Sequence, residues 1–430
     1  MRNFHIWSIG CQMNAADARR LTEELEVFGL EAAEDVTEAD LVVLYSCMVR
    51  QSAENRVHGQ LAALRRLKER RPWLRICLAG CVGDVDFWKK RYPFVDVIIP
   101  PTQELSVRDR ILDLLDLDER YRLTPADGVR APGISEGITI HQGCNRSCTY
   151  CIVPFTRGRE RSRPPEAILR DVEALVARGT REVVLLSQIV DRYGRDLDPP
   201  VSLAELLAML DKVPGLLRIR FLTSYPLAFR PEIIEAVASL PKVCEDINLP
   251  VQAGDDEVLR RMRRGYTVAM YRDLVRRIRE RIPEVGLSTD IIVGFPGETE
   301  EQFQRTLDLL REVRFDVVHV ARFSPRRGTV AAEWPDDVPL EEKKRRLRAV
   351  EDLQCQIAAE INAGLVGRRV EVLVEGRDTR GNWFGRTRTN KLVHFAHPDD
   401  LTGQLVWVTV TKSSPWSLQG EVAEVAASVA

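Results

Sequence analysis

The 430-residue sequence contains no run of 18 or more apolar residues, so it offers no helix able to span a bilayer. Its first residues, MRNFHIWSIG, lack the apolar stretch of a secretory signal. Neither sign of charge dominates. The 62 basic residues stand against 64 acidic ones, a formal net charge of −2, so only local basic patches could speak for a nucleic-acid partner. No disulfide framework is expected either: nine cysteines are an odd number in a chain this long. Without an export signal, a cytoplasmic, reducing setting is expected, where clustered cysteines point to metal binding or catalysis. The length implies two or three domains of a globular enzyme or binding protein.

The pattern divides the chain into three regions of an α/β protein. In residues 1–120, three apolar strand candidates each end on a cysteine: FHIWSIGC at Cys11, DLVVLYSC at Cys47 and RICLAGC at Cys81. Helical patterns lie between them, which predicts a parallel α/β sheet with right-handed crossovers. The ends of such strands share one sheet edge, where ligands bind, so the three cysteines are candidates for one site. Three buried core cysteines are the plainer alternative.

Residues 135–365 carry six strand candidates alternating with helices: EGITIHQ, REVVLLSQ, LRIRFLTS, EDINLPV, GLSTDIIVG and FDVVHVARF, closed by a long charged helix. That succession predicts a partial (β/α)6 barrel with its active site at the strand C-termini. Residues 366–430 hold short β-runs separated by turn residues, a small β-barrel. There Arg386, Arg388 and Lys391 surround Trp383, a mixture of basic and aromatic side chains suited to RNA. An ordinary solvated β-surface reads equally well.

The motif GCNRSCTYC, residues 143–151, follows the first strand of the central region. Cys144, Cys148 and Cys151 supply three thiolates from one tight loop, whereas closed zinc sites and ferredoxin-type clusters use four ligands. Three thiolates on a four-iron cluster leave one iron open for substrate or cosubstrate. His141 is the candidate fourth ligand of a competing Cys3His zinc site.

CNRSCTYC resembles the signature of the radical S-adenosylmethionine superfamily. Together with GCQMN at 10–14, Cys11, Cys47 and Cys81, GCNRSCTYCIVPFTRGRERSRP at 143–164, LPVQAG at 249–254 and IIVGFPGET at 291–299, it resembles the methylthiotransferases over nearly the whole chain. The resemblance implies two 4Fe-4S clusters, one on Cys144, Cys148 and Cys151, the other on Cys11, Cys47 and Cys81, each with an open iron. It implies a radical SAM core and a C-terminal RNA-binding TRAM barrel. It also implies a reaction in which S-adenosylmethionine yields a radical that takes hydrogen from the substrate carbon. Sulfur then bonds there, and a second S-adenosylmethionine gives the methyl group. The implied partners are the tRNA anticodon stem-loop, a sulfur source and an electron donor such as a flavodoxin or ferredoxin, with no membrane.

The family's branches act on isopentenyl-adenosine beside the tRNA anticodon, on threonylcarbamoyl-adenosine there, or on a ribosomal-protein aspartate. GCQMN and GRTRTNKLVHF resemble the first branch. Departures from it are YSC at 45–47, Asn248 before LPVQ, and SQIVDRYGRDL at 187–197, which is closer to the ribosomal branch. A zinc-containing RNA-binding protein without catalysis is the reading from a different class. Carried over by the resemblance, Tyr150, Ser187, Gln188, Ser288 and Asp290 are candidate S-adenosylmethionine contacts. Arg157 and Arg159 join Trp383, Arg386, Arg388 and Lys391 as candidate RNA contacts.

Overall fold

The computed structural model describes residues 3–47, 51–100, 107–115 and 132–425. The expected domain boundary at 120 lies outside the described residues. The chain forms two compact units. One holds residues 1–131, 142–161 and 326–329, and the other holds 132–141, 162–325 and 330–430.

In the first unit, five parallel strands run in the spatial order Glu31–Ala32, Asn3–Ser8, Leu41–Ser46, Arg75–Gly80, Val97–Ile99. The central strand Leu41–Ser46 is buried along its whole length, as expected of a parallel sheet covered on both faces. Alternation sorts its side chains. Val42 and Leu44 pack with Ile76, Leu78 and the helix residues Val57 and Leu61. Leu41, Val43 and Tyr45 pack on the other face with Cys77, Leu21 and Leu25. Each fully buried Leu or Val contributes roughly 1.5–3 kcal/mol, which makes this strand the anchor for what hangs from its end. The 143–151 motif belongs to this unit by its contacts, not to the strands that flank it in sequence.

In the second unit, six parallel strands form two three-stranded sheets. Ser135–Thr139, Glu182–Leu186 and Arg218–Phe221 make one; Asp246–Asn248, Gly286–Val293 and Val317–Arg322 make the other. A lone parallel bridge, Ile219 to Val243, joins them. The first and last strands do not pair, so the barrel is open. The seam falls where the third strand carries arginines at alternate positions. Arg218 and Arg220 are both buried, and Arg220 pairs with Glu182 at 2.8 Å and Asp246 at 3.3 Å. Thr299 begins the helix Glu300–Val313 with a reciprocal capping box to Gln302, the turn expected of GFPGET.

The long helix Leu340–Ala363 leads into a closed five-stranded barrel: Arg369–Arg377, Trp383–Thr387, Leu392–Ala396, Leu405–Ser413 and Leu418–Val425. Its core includes Val372, Val374, Trp383, Val393, Phe395, Val406 and Val408. The barrel's turn at 387–391 seats on the N-terminal ends of the core strands. Arg220 reaches the carbonyl oxygens of Thr387 and Arg388, Arg388 grips Glu245, and Lys391 pairs with Asp316 just before the sixth strand.

Candidate active site

Three adjacent parallel strands deliver the N-terminal cysteines to one edge. Cys47 and Cys81 directly follow Leu41–Ser46 and Arg75–Gly80, and Cys11 is the N-cap residue of the helix Gln12–Val27. Gly10 permits the approach: its φ is +137°, and a β-carbon there would stand 2.2 Å from Cβ of Cys47. A hydrogen bond between Cys11 and Cys47 is the largest influence on Cys11, whose pKa is held down to about 6. Burial pushes the Cys81 thiol up, and Arg157 opposes that. A thiol that ionises readily beside two buried ones is a donor set that suits a soft, cationic iron cluster.

Asn14 braces this edge. Its amide donates to the carbonyl oxygens of Ser46 at 2.7 Å and Ile9 at 3.2 Å. The serine of YSC does not turn toward the cysteines. Ser46 Oγ donates to the carbonyl oxygen of Ala79 at 3.0 Å, stitching neighbouring strands. Arg157 completes the group. It is 5% exposed, donates through Nε to Sγ of Cys81 at 3.1 Å, and through Nη2 to Oδ1 of Asn14 at 2.8 Å and Asp17 at 3.4 Å.

The Cys144–Cys151 loop is pinned at its base. Gly143 has φ of +79°, and a β-carbon on it would stand 2.0 Å from the carbonyl oxygen of Arg159. The amide of Cys144 donates to the carbonyl oxygen of Gly158 at 3.0 Å, and that of Cys151 to Cys148 at 3.1 Å. Cys144 is buried, while Cys148, Cys151 and Tyr150 are half-buried. Asn145 and Glu160 clasp the two arms of the loop. Among the described residues, no three His, Cys, Asp or Glu side chains converge closely enough to hold a single metal ion. His141 instead faces Ser187, with Nδ1 2.8 Å from its Oγ.

The second unit gathers polar groups at the strand positions expected. Ser187 is buried just beyond the strand Glu182–Leu186, with Gln188 half-buried beside it. Asn248 donates to Ser288 Oγ at 3.1 Å and accepts from the Thr223 amide at 3.2 Å, so the unusual asparagine ties three strands together. Asp290, two residues on from Ser288, is half-buried.

Three sequence segments match family models: residues 138–310 the radical SAM superfamily, residues 3–99 the uncharacterized protein family UPF0004, and residues 364–423 the TRAM domain. A tRNA-2-methylthio-N(6)-dimethylallyladenosine synthase of Chloroflexus aurantiacus is 48% identical over 97% of this chain and 91% of its own length. One from Dehalococcoides mccartyi is 47% identical over 99% of each chain. This chain belongs to that family of radical S-adenosylmethionine methylthiotransferases. Membership brings an iron–sulfur cluster and S-adenosylmethionine. The radical S-adenosylmethionine methyltransferase TsrM of Kitasatospora setae shares the fold, with a TM-score of 0.55, 16% identity, and coverage of 77% of this chain and 74% of that one.

Several of the enzyme's expected RNA contacts need correction. Trp383 is 3% exposed in the barrel core, its indole N–H held by the carbonyl oxygen of His397, because odd positions of Trp383–Thr387 point inward. Arg157 is buried at the thiols. Arg388 and Lys391 spend their charges on Glu245 and Asp316. Arg159 is exposed and the Arg386 side chain is 40% exposed, so these two keep a face to solvent. Motif reading missed Phe155, 65% exposed four residues after Cys151, and Asp191, buried in the loop after the second core strand. An apolar residue in a basic loop was the available signal for the first; nothing in the pattern marked the second.

Proposed function

We propose that the enzyme installs a methylthio group at carbon two of isopentenyl-adenosine beside the tRNA anticodon. The observation that carries this reading is the near-full-length identity of 46–48% to synthases of that product, joined to a site where the radical loop reaches the N-terminal thiols through Arg157.

A second 4Fe-4S cluster on Cys11, Cys47 and Cys81 belongs to this proposal. Their common sheet edge supports it. When bound, the clusters and S-adenosylmethionine supply the radical, the sulfur site and the methyl group. The chain's part is placement. Gly143 and the Asn145–Glu160 clasp hold the thiolate loop in shape. Tyr150, Ser187, Gln188, Ser288 and Asp290 are proposed to hold the polar parts of S-adenosylmethionine. Phe155 offers a stacking face for an unstacked base, worth about 1–3 kcal/mol. Arg159 and Arg386 are proposed to meet RNA phosphates. A flavodoxin or ferredoxin as electron donor, a separate sulfur source and a cytoplasmic setting complete the proposal. Among the described residues no helix is long and apolar enough to cross a membrane.

Mass spectrometry of tRNA and ribosomal protein from a deletion strain tests it. Loss of the methylthio group from isopentenyl-adenosine is expected. Unchanged tRNA together with an unmodified ribosomal aspartate, or loss confined to threonylcarbamoyl-adenosine, would overturn the substrate assignment. A colourless, zinc-loaded chain after anaerobic purification would overturn the enzyme chemistry.

A further inference from the structure

Asp191 follows the second core strand, Glu182–Leu186, and Ser224 follows the third, Arg218–Phe221, so both stand at the strand C-termini, where the active site of such a core lies. Two hydrogen bonds zip their loops together. The amide of Val190 donates to the carbonyl oxygen of Thr223 at 3.0 Å, and that of Tyr225 donates to Oδ2 of Asp191 at 2.7 Å. Ser224 is thus held between the two tied positions, beside the carboxyl. Thr223 has φ of +69°, a left-handed backbone uncommon for a β-branched residue. Asn248 keeps it there, accepting the Thr223 amide at Oδ1 at 3.2 Å and the Ser224 amide at its carbonyl oxygen at 3.1 Å. Strain held in place in this way gathers at ligand sites.

Asp191 is 5% exposed and Ser224 3%. Each nevertheless has one oxygen with no hydrogen bond among the described residues, Oδ1 of Asp191 and Oγ of Ser224. A buried polar atom left unpaired is costly, so a ligand atom is expected to meet each one. Burial pushes the Asp191 carboxyl up to about 7, and Oδ2 already accepts from Tyr225, so the acid's proton sits on Oδ1 and donates from there. The Ser224 hydroxyl can accept.

One donor beside one acceptor matches the edge of adenine that presents nitrogen seven as acceptor and nitrogen six as donor. Isopentenyl-adenosine keeps one N–H on nitrogen six, which lies beside nitrogen seven when the isopentenyl chain points the other way. This edge is remote from carbon two, where the new bond forms between nitrogens one and three. Unstacked bases of RNA loops are read along such edges. The ammonium of S-adenosylmethionine fits less well, because a cation there favours the ionised carboxylate.

We infer that Asp191 and Ser224 read the target adenine, Asp191 donating from Oδ1 to nitrogen seven and Ser224 accepting the N–H of nitrogen six. They fix the base so that carbon two faces the chemistry, and they are specificity-determining contacts. The inference rests on the proposed isopentenyl-adenosine substrate.

The test uses anaerobically reconstituted full-length enzyme at about pH 6.5, below the Asp191 value. The substrates are an anticodon stem-loop carrying isopentenyl-adenosine and the same RNA with its 7-deaza analogue, in which carbon replaces nitrogen seven. For the parent, kcat/KM is expected to fall by about tenfold or more on the 7-deaza RNA. Asp191→Ala is expected to treat both RNAs alike within about twofold, with S-adenosylmethionine affinity near the parent's. Asp191→Asn keeps an N–H donor and is expected to regain part of the preference. Ser224→Ala is expected to slow both RNAs and keep it. Where Asp191→Ala holds less iron than the parent, Asp191→Val carries the same comparison. A parent that methylthiolates both RNAs equally overturns the inference alone. So does an alanine variant that keeps the full preference, or one whose loss lies only in S-adenosylmethionine affinity. A parent that methylthiolates neither RNA overturns the substrate reading, and this inference with it.

Discussion

Arg220 in the core and Arg388 in the C-terminal barrel meet head to backbone. Nη1 of Arg220 donates to the carbonyl oxygen of Arg388 at 2.8 Å, while the guanidinium of Arg388 clasps both oxygens of Glu245 at 2.7 and 2.9 Å. Arg220 also neutralises Glu182 and Asp246, so one buried side chain joins three core strands and the barrel turn. Arg220→Met keeps the volume but strands two buried carboxylates. A loss of about 3–5 kcal/mol is expected, read from the denaturant midpoint of the whole chain. A loss below about 1 kcal/mol would show that these carboxylates find water or protons at little cost.

Asp191 is pushed up to about 7 from the ordinary 3.8, chiefly by burial, although the Tyr225 amide donates to it at 2.7 Å. The folded chain therefore holds a proton that the unfolded chain has released between about pH 4 and pH 7. Stability from this group is present below the unfolded value and is lost as pH rises through the folded one. Asp191→Asn is expected to flatten that decline. Thermal unfolding at several pH values, at matched iron content, checks it, and parallel pH profiles for parent and variant would contradict it.

Gly143→Ala places a methyl group against the carbonyl oxygen of Arg159 in a backbone region where side chains are strained. The base of the radical loop must then open. Iron per chain is expected to fall from about eight to about four, with the N-terminal cluster kept. Iron and sulfide analysis after anaerobic reconstitution measures this directly.

Two aromatic residues should separate stability from RNA binding. Trp383→Ala empties part of the barrel core and is expected to cost about 3–5 kcal/mol. Phe155→Ala removes an exposed ring and should leave unfolding unchanged while weakening anticodon stem-loop affinity by about tenfold, within the range of one lost stacking contact. Equal affinity for parent and Phe155→Ala in a binding titration would remove the ring from the RNA interface.

Much of this molecule could be read from local pattern. Strand-length apolar runs ending on cysteine, and cysteines four and three positions apart, are short-range signals, and the sheet rule turns the strand-end cysteines into a shared edge. What could not be read depends on contacts between distant residues. Arg157 meets Cys81 across 76 positions and Asn14 across 143, so its motif reads as a basic loop when it is a buried brace. Trp383 sits among basic residues in sequence, yet strand alternation sends it inward and Arg386 stays partly outside. The seam between the third and fourth core strands was likewise hidden, because six similar βα units give no sign of where pairing thins to one bridge.

The seating of the barrel turn on the strand N-termini sets a scale. Arg386 lies by the first residue of the strand Arg218–Phe221, whereas Ser187 follows the last residue of Glu182–Leu186. The strand Glu182–Leu186 of the same sheet, five residues long, spans about 17 Å at roughly 3.3 Å per residue. A molecule gripped at both ends of that sheet must be about as tall as the strand is long. A free nucleoside falls far short, and a folded stem with its loop does not. Under the RNA contact proposed for Arg386, the scaffold would work as a caliper, admitting its target by stature before any base is read.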